Sequence, residues 1–596
     1  MTVTEEDPFT AEIIGEILRA AAEEMFVTLG RTAQSPIIYE VLDMACGLLT
    51  PRGELIAEAE GVPGFIGCLS FAVQEILAKF GVEAMQAGDV YATNDPYAGG
   101  GTHLSDVVLV SPILFEGRVV GFAANKAHWT EVGGMAAGSW TTDATEIYQE
   151  GLQLPGVRLY RAGEPDQTLV DLIAANVRLP QMTLGDLQAG VASLRAGGRG
   201  VISICRKYGV QTLRRTMEMM LARAEAAALA CLSRLPAGRY GAQMWIDDDG
   251  LSDEPLKVQV MVTVSPKRFI ADFSGSAPQA RGPINTTRTG LEVATREIFK
   301  EATEPHFPNN DGFFRPLSVI CPDGTIFTAQ RPAPVSTYWE TGAYASDLIW
   351  KALFPVARER LPVGHHLSVC GTIISGLDGD GARYVLVEPQ AGGWGATLDR
   401  DGVSGMVPAG DGETYIMPVE VCEARYPLLV KQFAFNVAPG AGLGRYRGGF
   451  GLVRDYCLLA EEAELTATFG RFKYPPWGAC GGLDGSPNAV EVIRAGAAEP
   501  ALRRGKLARH SLRGGDVARL ITGVGGGYGD PLQRDPALVA RDVRNDLLTV
   551  ARAAADYGVV LDHQTLAVHA PATQALRARL AVRRKGDTNQ EDDNGR

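Results

Sequence analysis

The sequence predicts a multi-domain, β-rich α+β protein with a helical N-terminal segment, a helical 171–235 region and a helical C-terminal segment. Three observations predict it. Its 596 residues exceed what one hydrophobic core ordinarily serves. Helix-like and strand-like stretches are segregated along the chain rather than alternating. Seventy glycines, about 12% against a usual ~7%, gather in runs such as Gly99-Gly100-Gly101, Gly133-Gly134, Gly392-Gly393 and Gly525-Gly526-Gly527, the mark of tight turns and structured loops.

The elements follow in order. Phe9 to about Gly30 carries Ile13, Ile14, Ile17, Leu18 and Ala21 at helical spacing. From Ile37 to Glu60 the pattern is strand-like, with a turn at Pro51-Arg52-Gly53, and Phe71 to Phe80 reads as a helix. Asp171 to Leu235 is helical, ending in the Met217–Leu232 stretch, which reads as a buried helix with Gly238 past its end. Val258, Val260, Val262 and Val264 then alternate as a half-buried strand does. Asp535 to Leu580 returns to helix. These shifts set expected boundaries: a domain over 1–239, a central β-rich domain over 240–397, a glycine-rich α+β domain over 398–580, and a disordered polar tail over 581–596.

Composition narrows the function classes. The chain is 46% apolar and 21% charged, which is ordinary for a globular protein, and its formal net charge is −14. Without Lys/Arg clusters, that acidity argues against nucleic acid as a partner. Nine scattered cysteines without a C-x-x-C pair read as buried thiols in a reducing compartment. The start MTVTEEDPFT lacks the basic and apolar regions of a leader, and no stretch reaches the ~18 apolar residues of a spanning helix. The expectation is a cytoplasmic protein with no membrane contact.

The chemistry concentrates between residues 86 and 150. Val107–Phe115 and Arg118–Asn125 are apolar runs around the turn dipeptide Glu116-Gly117, a β-hairpin signal. A two-residue loop pairs Phe115 with Arg118 and, counting back, sets Ser105 opposite His128. His103 then falls on the face of His128, one pleat away. Asp106 points to the other face under strict alternation and joins the imidazoles only where the glycine run keeps the chain irregular. Two imidazoles and a carboxylate suit a divalent metal such as Zn, Mn or Fe. The same pattern fits a hairpin with surface histidines and a capping Asp. Against that stands the density of titratable groups nearby, Glu131 and Asp95 among them.

Other motifs fail. G-x-x-x-x-G-K-[ST] is absent, the glycines around 523–530 break the G-x-G-x-x-G register, and no G-x-S-x-G occurs. The adjacent pair His365-His366 reads as core or surface, and His306, in Glu304-Pro305-His306-Phe307-Pro308, as a packing residue.

The runs Gly88-Asp89-Val90-Tyr91-Ala92-Thr93-Asn94-Asp95-Pro96-Tyr97, Thr102-His103-Leu104-Ser105-Asp106 and Asn125-Lys126-Ala127-His128-Trp129-Thr130-Glu131 resemble the hydantoinase B/oxoprolinase family. The likeness continues through Arg331-Pro332-Ala333-Pro334-Val335 and Gly525-Gly526-Gly527-Tyr528-Gly529-Asp530-Pro531, in order over nearly the whole chain. That family includes B-type subunits of N-methylhydantoinase and caprolactamase, part of 5-oxoprolinase, and subunits of acetone and acetophenone carboxylases.

The resemblance implies a metal held by His103, Asp106, His128 and, as fourth ligand, Asp43, although Met44-Ala45 departs from the relatives' D-F-S-x-A. It also implies an ATP-dependent hydrolase of cyclic amides (hydantoin, lactam or 5-oxoproline type), working as a hetero-oligomer. ATP-Mg is handled by a hydantoinase A-type partner subunit, which fits the missing phosphate loop. The metal activates a water that attacks the phosphorylated substrate. Glu131 stands where relatives often carry Asp; it is a candidate proton relay or a hydrogen-bond partner that orients His128. Glu150 and Asp95 are candidate loop pins. A ketone carboxylase subunit and a non-catalytic scaffold are the alternative readings.

Overall fold

The computed structural model describes residues 8–438 and 440–593, with side chains for 9–438 and 440–582. The leader reading at residues 1–7 lies outside them. The first helix, Pro8–Thr32, buries Ile14, Leu18, Ala21, Met25 and Leu29, one stripe at spacings of three and four. It packs on the long helix Pro180–Tyr208 so closely that a Cβ on Gly200 would stand 2.5 Å from Ala21 Cβ.

Those two helices cover one face of a seven-stranded antiparallel sheet. Its strands are β1 (Met44–Leu49), β2 (Leu55–Glu58), β3 (Val90–Thr93), β4 (Asp106–Phe115), β5 (Arg118–His128), β6 (Val157–Arg161) and β7 (Glu164–Pro165), in the order β2-β1-β5-β4-β3-β6-β7. Strand alternation divides the burial. Val107, Leu109 and Ala123 face the long helices, while Val108, Val110, Phe122 and Ala124 face the helix Leu69–Phe80. Buried on both faces, β4 and β5 read as nearly continuous apolar runs rather than alternating ones.

The helices expected over 171–235 resolve into Gln167–Asn176, Pro180–Tyr208 and Val210–Leu232. The last is amphipathic rather than buried all round, because it lies at the edge of two cores. A second sheet, β8 (Gly238–Ile246), β9 (Leu256–Ser265), β10 (Arg268–Asp272) and β11 (Leu317–Ile320), is backed by helices Arg288–Thr303 and Trp339–Ala357. The valine alternation falls on β9, with Val258, Val260, Val262 and Val264 all buried.

Two further sheets enclose a shared core as a sandwich. One is β13-β12-β16-β19 and the other β14-β15-β20-β17-β18. Their strands are β12 (Gly371–Leu377), β13 (Arg383–Glu388), β14 (Leu428–Asn436), β15 (Gly451–Leu458), β16 (Glu462–Thr468), β17 (Ala489–Ile493), β18 (Leu502–Arg504), β19 (Lys506–Arg513) and β20 (Val517–Ile521). β12 and β13 precede the boundary expected at 397, yet β12 pairs with β16, so the sandwich draws on both sides of that position.

Helices Pro536–Arg544 and Val550–Tyr557 share a small core of their own, and a final helix spans Ala570–Asp593. The tail expected from 581 coincides in its backbone with that helix up to Asp593, and residues 594–596 lie outside the described residues. Among the described residues no helix is long and apolar enough to cross a membrane. Eight cysteines are buried and Cys480 is exposed, with all nine free. His365 and His366 are core residues, His365 stacked on Trp350, whereas His306 is exposed rather than packed.

Candidate metal centre

The Glu116-Gly117 turn forms as expected, with φ of 50° and 75°, and Phe115 pairs with Arg118. The pairing further along differs from the simple count. A one-residue bulge between Ile113 and Leu114 leaves Val120 as an extra residue in β5, so Asp106, not Ser105, stands opposite His128. Asp106 therefore shares the face of His128, and the irregularity that brings it there lies in the hairpin rather than in the glycine run.

Sheet order supplies the next residue. β1 pairs with β5 so that Met44 faces Ala127, and the His128 N–H donates to the Asp43 carbonyl at 3.1 Å. Asp43, His128 and Asp106 thus lie side by side across three adjacent strand ends. His103 arrives from the loop before β4, whose Asp106 N–H donates back to the His103 carbonyl at 3.2 Å. That loop is tight against β3. A Cβ on Gly101 would stand 2.2 Å from the Asn94 carbonyl oxygen.

The side chains converge. The ring centroids of His103 and His128 are 5.1 Å apart, and ligand atoms of His103, Asp106 and His128 all lie within 4.8 Å of one another. All three residues are at most 5% exposed. Together with Asp43 they line a cavity of about 60 Å³ walled by Trp140, Tyr338 and Trp339.

His103 has a fixed tautomer. Its Nδ1 lies 3.0 Å from the Ser336 carbonyl, which only accepts, so Nδ1 carries the proton. Its Nε2 lies 3.0 Å from Asp106 Oδ1. A lone pair facing a carboxylate oxygen requires a proton or a cation between or beside them. Neighbouring ligand atoms on an ion with bonds of ~2.1 Å lie ~3 Å apart, which matches. His128 Nδ1 is buried with no hydrogen-bond partner, the state expected of a nitrogen that holds a ligand. The residues present fit a divalent metal.

The electrostatics agree. Burial alone would raise the Asp106 carboxyl, but His103, Lys126 and His128 hold it far below the ordinary carboxylate range. Burial, reinforced by His103, pushes His128 down to about 3, so it stays neutral and available as a ligand. Burial also pushes Asp43 up, as do the nearby carboxylates Asp411 and Asp106, while Lys126 opposes them.

Three further candidates hold loops in place. Glu131 is buried, but its carboxylate is held by Arg178 Nη1 at 3.2 Å, by the Gly133 N–H and by Ser139 Oγ at 3.3 Å, away from the residues that line the cavity. It pins the 131–139 loop. Glu150 Oε1 accepts the N–H groups of Val335 and Ser336, both at 2.8 Å, and so anchors Ser336, the residue whose carbonyl orients His103. Asp95 binds Arg331 at 2.7 Å.

Sequence reasoning missed three contributors. Lys126 is fully buried, donates to Thr102 Oγ1 at 2.6 Å and lies over the Phe65 ring. Its signal was available: a lysine two residues before His128 in an apolar strand shares the histidine's face. Tyr338 donates to Asp106 Oδ2 at 3.3 Å, and Asp411 lines the cavity. Both come from distant segments with no local signal.

Comparison with known proteins now bears on this geometry. The family model described as hydantoinase B/oxoprolinase matches residues 7–531. The chain belongs to that family. An uncharacterised protein of Methanocaldococcus jannaschii is 33% identical over 93% of this chain and 96% of its own length. A putative B-type subunit of a D-/L-hydantoinase from a Pseudomonas strain is 29% identical over 93% of this chain and 95% of its own. The crystal structure of the ATP-dependent caprolactamase from Pseudomonas jessenii superposes with a TM-score of 0.89 at 27% identity, covering 96% of this chain and all of that one. The α+β, multi-domain fold expected from the sequence is the fold of that family member.

Proposed function

We propose that this hydantoinase B family chain is the metal-binding subunit of an ATP-dependent cyclic-amide hydrolase. A separate A-type subunit phosphorylates the substrate, and this chain completes the ring opening. The observation that carries the reading is the convergence of His103, Asp106 and His128, with Asp43 beside them, on one small buried cavity. A relative named as a B-type hydantoinase subunit and a structural neighbour named as an ATP-dependent caprolactamase support the substrate class and the need for a partner.

Asp43, His103, Asp106 and His128 would hold the ion, which is Zn, Mn or Fe by its N/O donor set. When bound, such an ion supplies Lewis acidity towards a carbonyl oxygen or a water. The chain's own residues do the rest. Ser336 holds the His103 ring with Nε2 turned to the cavity. Lys126, Thr102 and Tyr338 fix Asp106 Oδ2, leaving Oδ1 towards His103. Trp140, Tyr338 and Trp339 limit bulk water at the reacting centre. Glu131 is not assigned a proton relay, because Arg178 engages its carboxylate outside the cavity.

The test is to co-express the chain with its A-type partner and screen ATP turnover against hydantoins, lactams, 5-oxoproline and aryl ketones. Ring opening that disappears in His103→Ala is the expected result. Full activity in that variant would reduce the chain to a scaffold, and a strict bicarbonate requirement would make the complex a carboxylase.

A further inference from the structure

We infer that Asp411 is a further member of the same cation site, so that the metal is enclosed across the seam between the N-terminal domain and the segment 408–417. The inference rests on the proposed metal-binding role and adds a ligand from a different part of the chain.

The segment is built to deliver this side chain. On one side of Asp411, the Gly64 N–H donates to the Gly410 carbonyl at 3.1 Å, next to the cavity residue Phe65. On the other, the Tyr415 N–H donates to the Val41 carbonyl at 2.9 Å, two residues before Asp43. Beyond that, the Met417 N–H donates to Glu388 Oε1 at 2.9 Å, which ties the segment to the sandwich. Asp411 is thus clamped between two anchor points on the N-terminal domain, and it lines the cavity shared by Asp43, His103, Asp106 and His128. Thr414 Oγ1 donates to its Oδ2 at 3.1 Å.

Charge points the same way. Four carboxylates line the cavity, those of Asp43, Asp106, Glu388 and Asp411; Arg454 balances Glu388 at 3.0 Å, and Lys126 stands 3.6 Å from Asp106. The remainder is two negative charges, the complement of one divalent ion. Asp43, Asp106 and Asp411 all line the same cavity of about 60 Å³. The unpartnered His128 Nδ1, in a residue 5% exposed, is an independent sign that the cavity takes a cation. A site closed by a second segment also predicts a mechanical consequence: binding the ion pins 408–417 to the strand ends.

The test uses the purified full chain and Zn(II), Mn(II) or Co(II) under chelator competition, in wild type, His128→Ala and Asp411→Asn. Asp411→Asn should weaken binding ~10–100-fold, the range seen when a partner of a bound metal is lost. In wild type, added metal should slow hydrogen exchange over 408–417, and in His128→Ala it should not. Affinity in a folded Asp411→Asn within twofold of wild type overturns the inference. Should that variant fail to fold, unchanged exchange over 408–417 in wild type overturns it instead. A wild-type chain that binds no metal would sink the proposed site itself, whereas tight binding in wild type and Asp411→Asn with loss in His128→Ala would sink this inference alone.

Discussion

Lys126 Nζ lies 3.6 Å from Asp106 Oδ2, with both side chains sealed from solvent. Breaking a buried pair by removing one partner leaves an uncompensated charge, at a cost of about 3–5 kcal/mol. Lys126→Met should therefore lower the urea midpoint of the metal-free protein markedly. A divalent ion restores positive charge beside Asp106, so saturating metal should recover more stability in this variant than in wild type. Equal metal-induced shifts in the two proteins would remove Lys126 as the counter-charge of the empty site.

Purified wild type should carry about one divalent ion per chain by elemental analysis. His128→Ala should lose it, because the substitution removes the orphaned Nδ1 and opens one wall of the cavity. Since losing even an outer partner weakens binding ~10–100-fold, losing a ligand should exceed that. Equal metal content in both proteins would refute the site.

Glu131→Ala separates a structural pin from a catalytic group. Its carboxylate satisfies Arg178, Gly133 and Ser139, so truncation should destabilise the fold by ~1–3 kcal/mol in urea unfolding while metal content stays at the wild-type level. Loss of metal with unchanged stability would instead link Glu131 directly to the ion.

How far the sequence spoke for this site depends on range. A count around the two-residue turn sets His103 on the face of His128 in a register that is one residue off; the rings meet because His103 stands in the irregular loop before β4 rather than because of hairpin pairing. Asp106 could not be set on the right face by that count, since one extra residue, Val120, reverses the alternation and nothing in Val119-Val120-Gly121 dictates where the bulge falls. Asp43 needed the β1–β5 pairing, a contact across more than eighty residues of chain, and was reachable only through family resemblance. Asp411 and Tyr338 needed the packing of whole domains. The same distinction holds for the fold. The long helices and β9 follow from periodicity, whereas the sandwich, formed by strands on both sides of residue 397, follows from pairing that no local pattern encodes.

Glu150 gives the pH dependence. Burial raises its carboxyl to about 8, with the Val335 and Ser336 N–H groups opposing. In the unfolded chain the same group titrates near ~4.3. Between those values the folded protein holds a proton that the unfolded chain has released, so this residue's contribution to stability falls as pH rises, by up to ~1.4 kcal/mol per pH unit, and levels off above pH 8. Glu150→Gln keeps an oxygen to accept both N–H groups and cannot ionise. The difference in urea-unfolding free energy, variant minus wild type, should therefore grow in the variant's favour from pH 5 to pH 8 and then stop growing. Other buried carboxyls, Glu58 and Glu297 among them, shift both proteins alike and cancel in that difference. Parallel pH profiles would mean that Glu150 stays ionised when buried, and that Ser336, whose carbonyl holds His103, is fixed by a carboxylate rather than by a neutral acid.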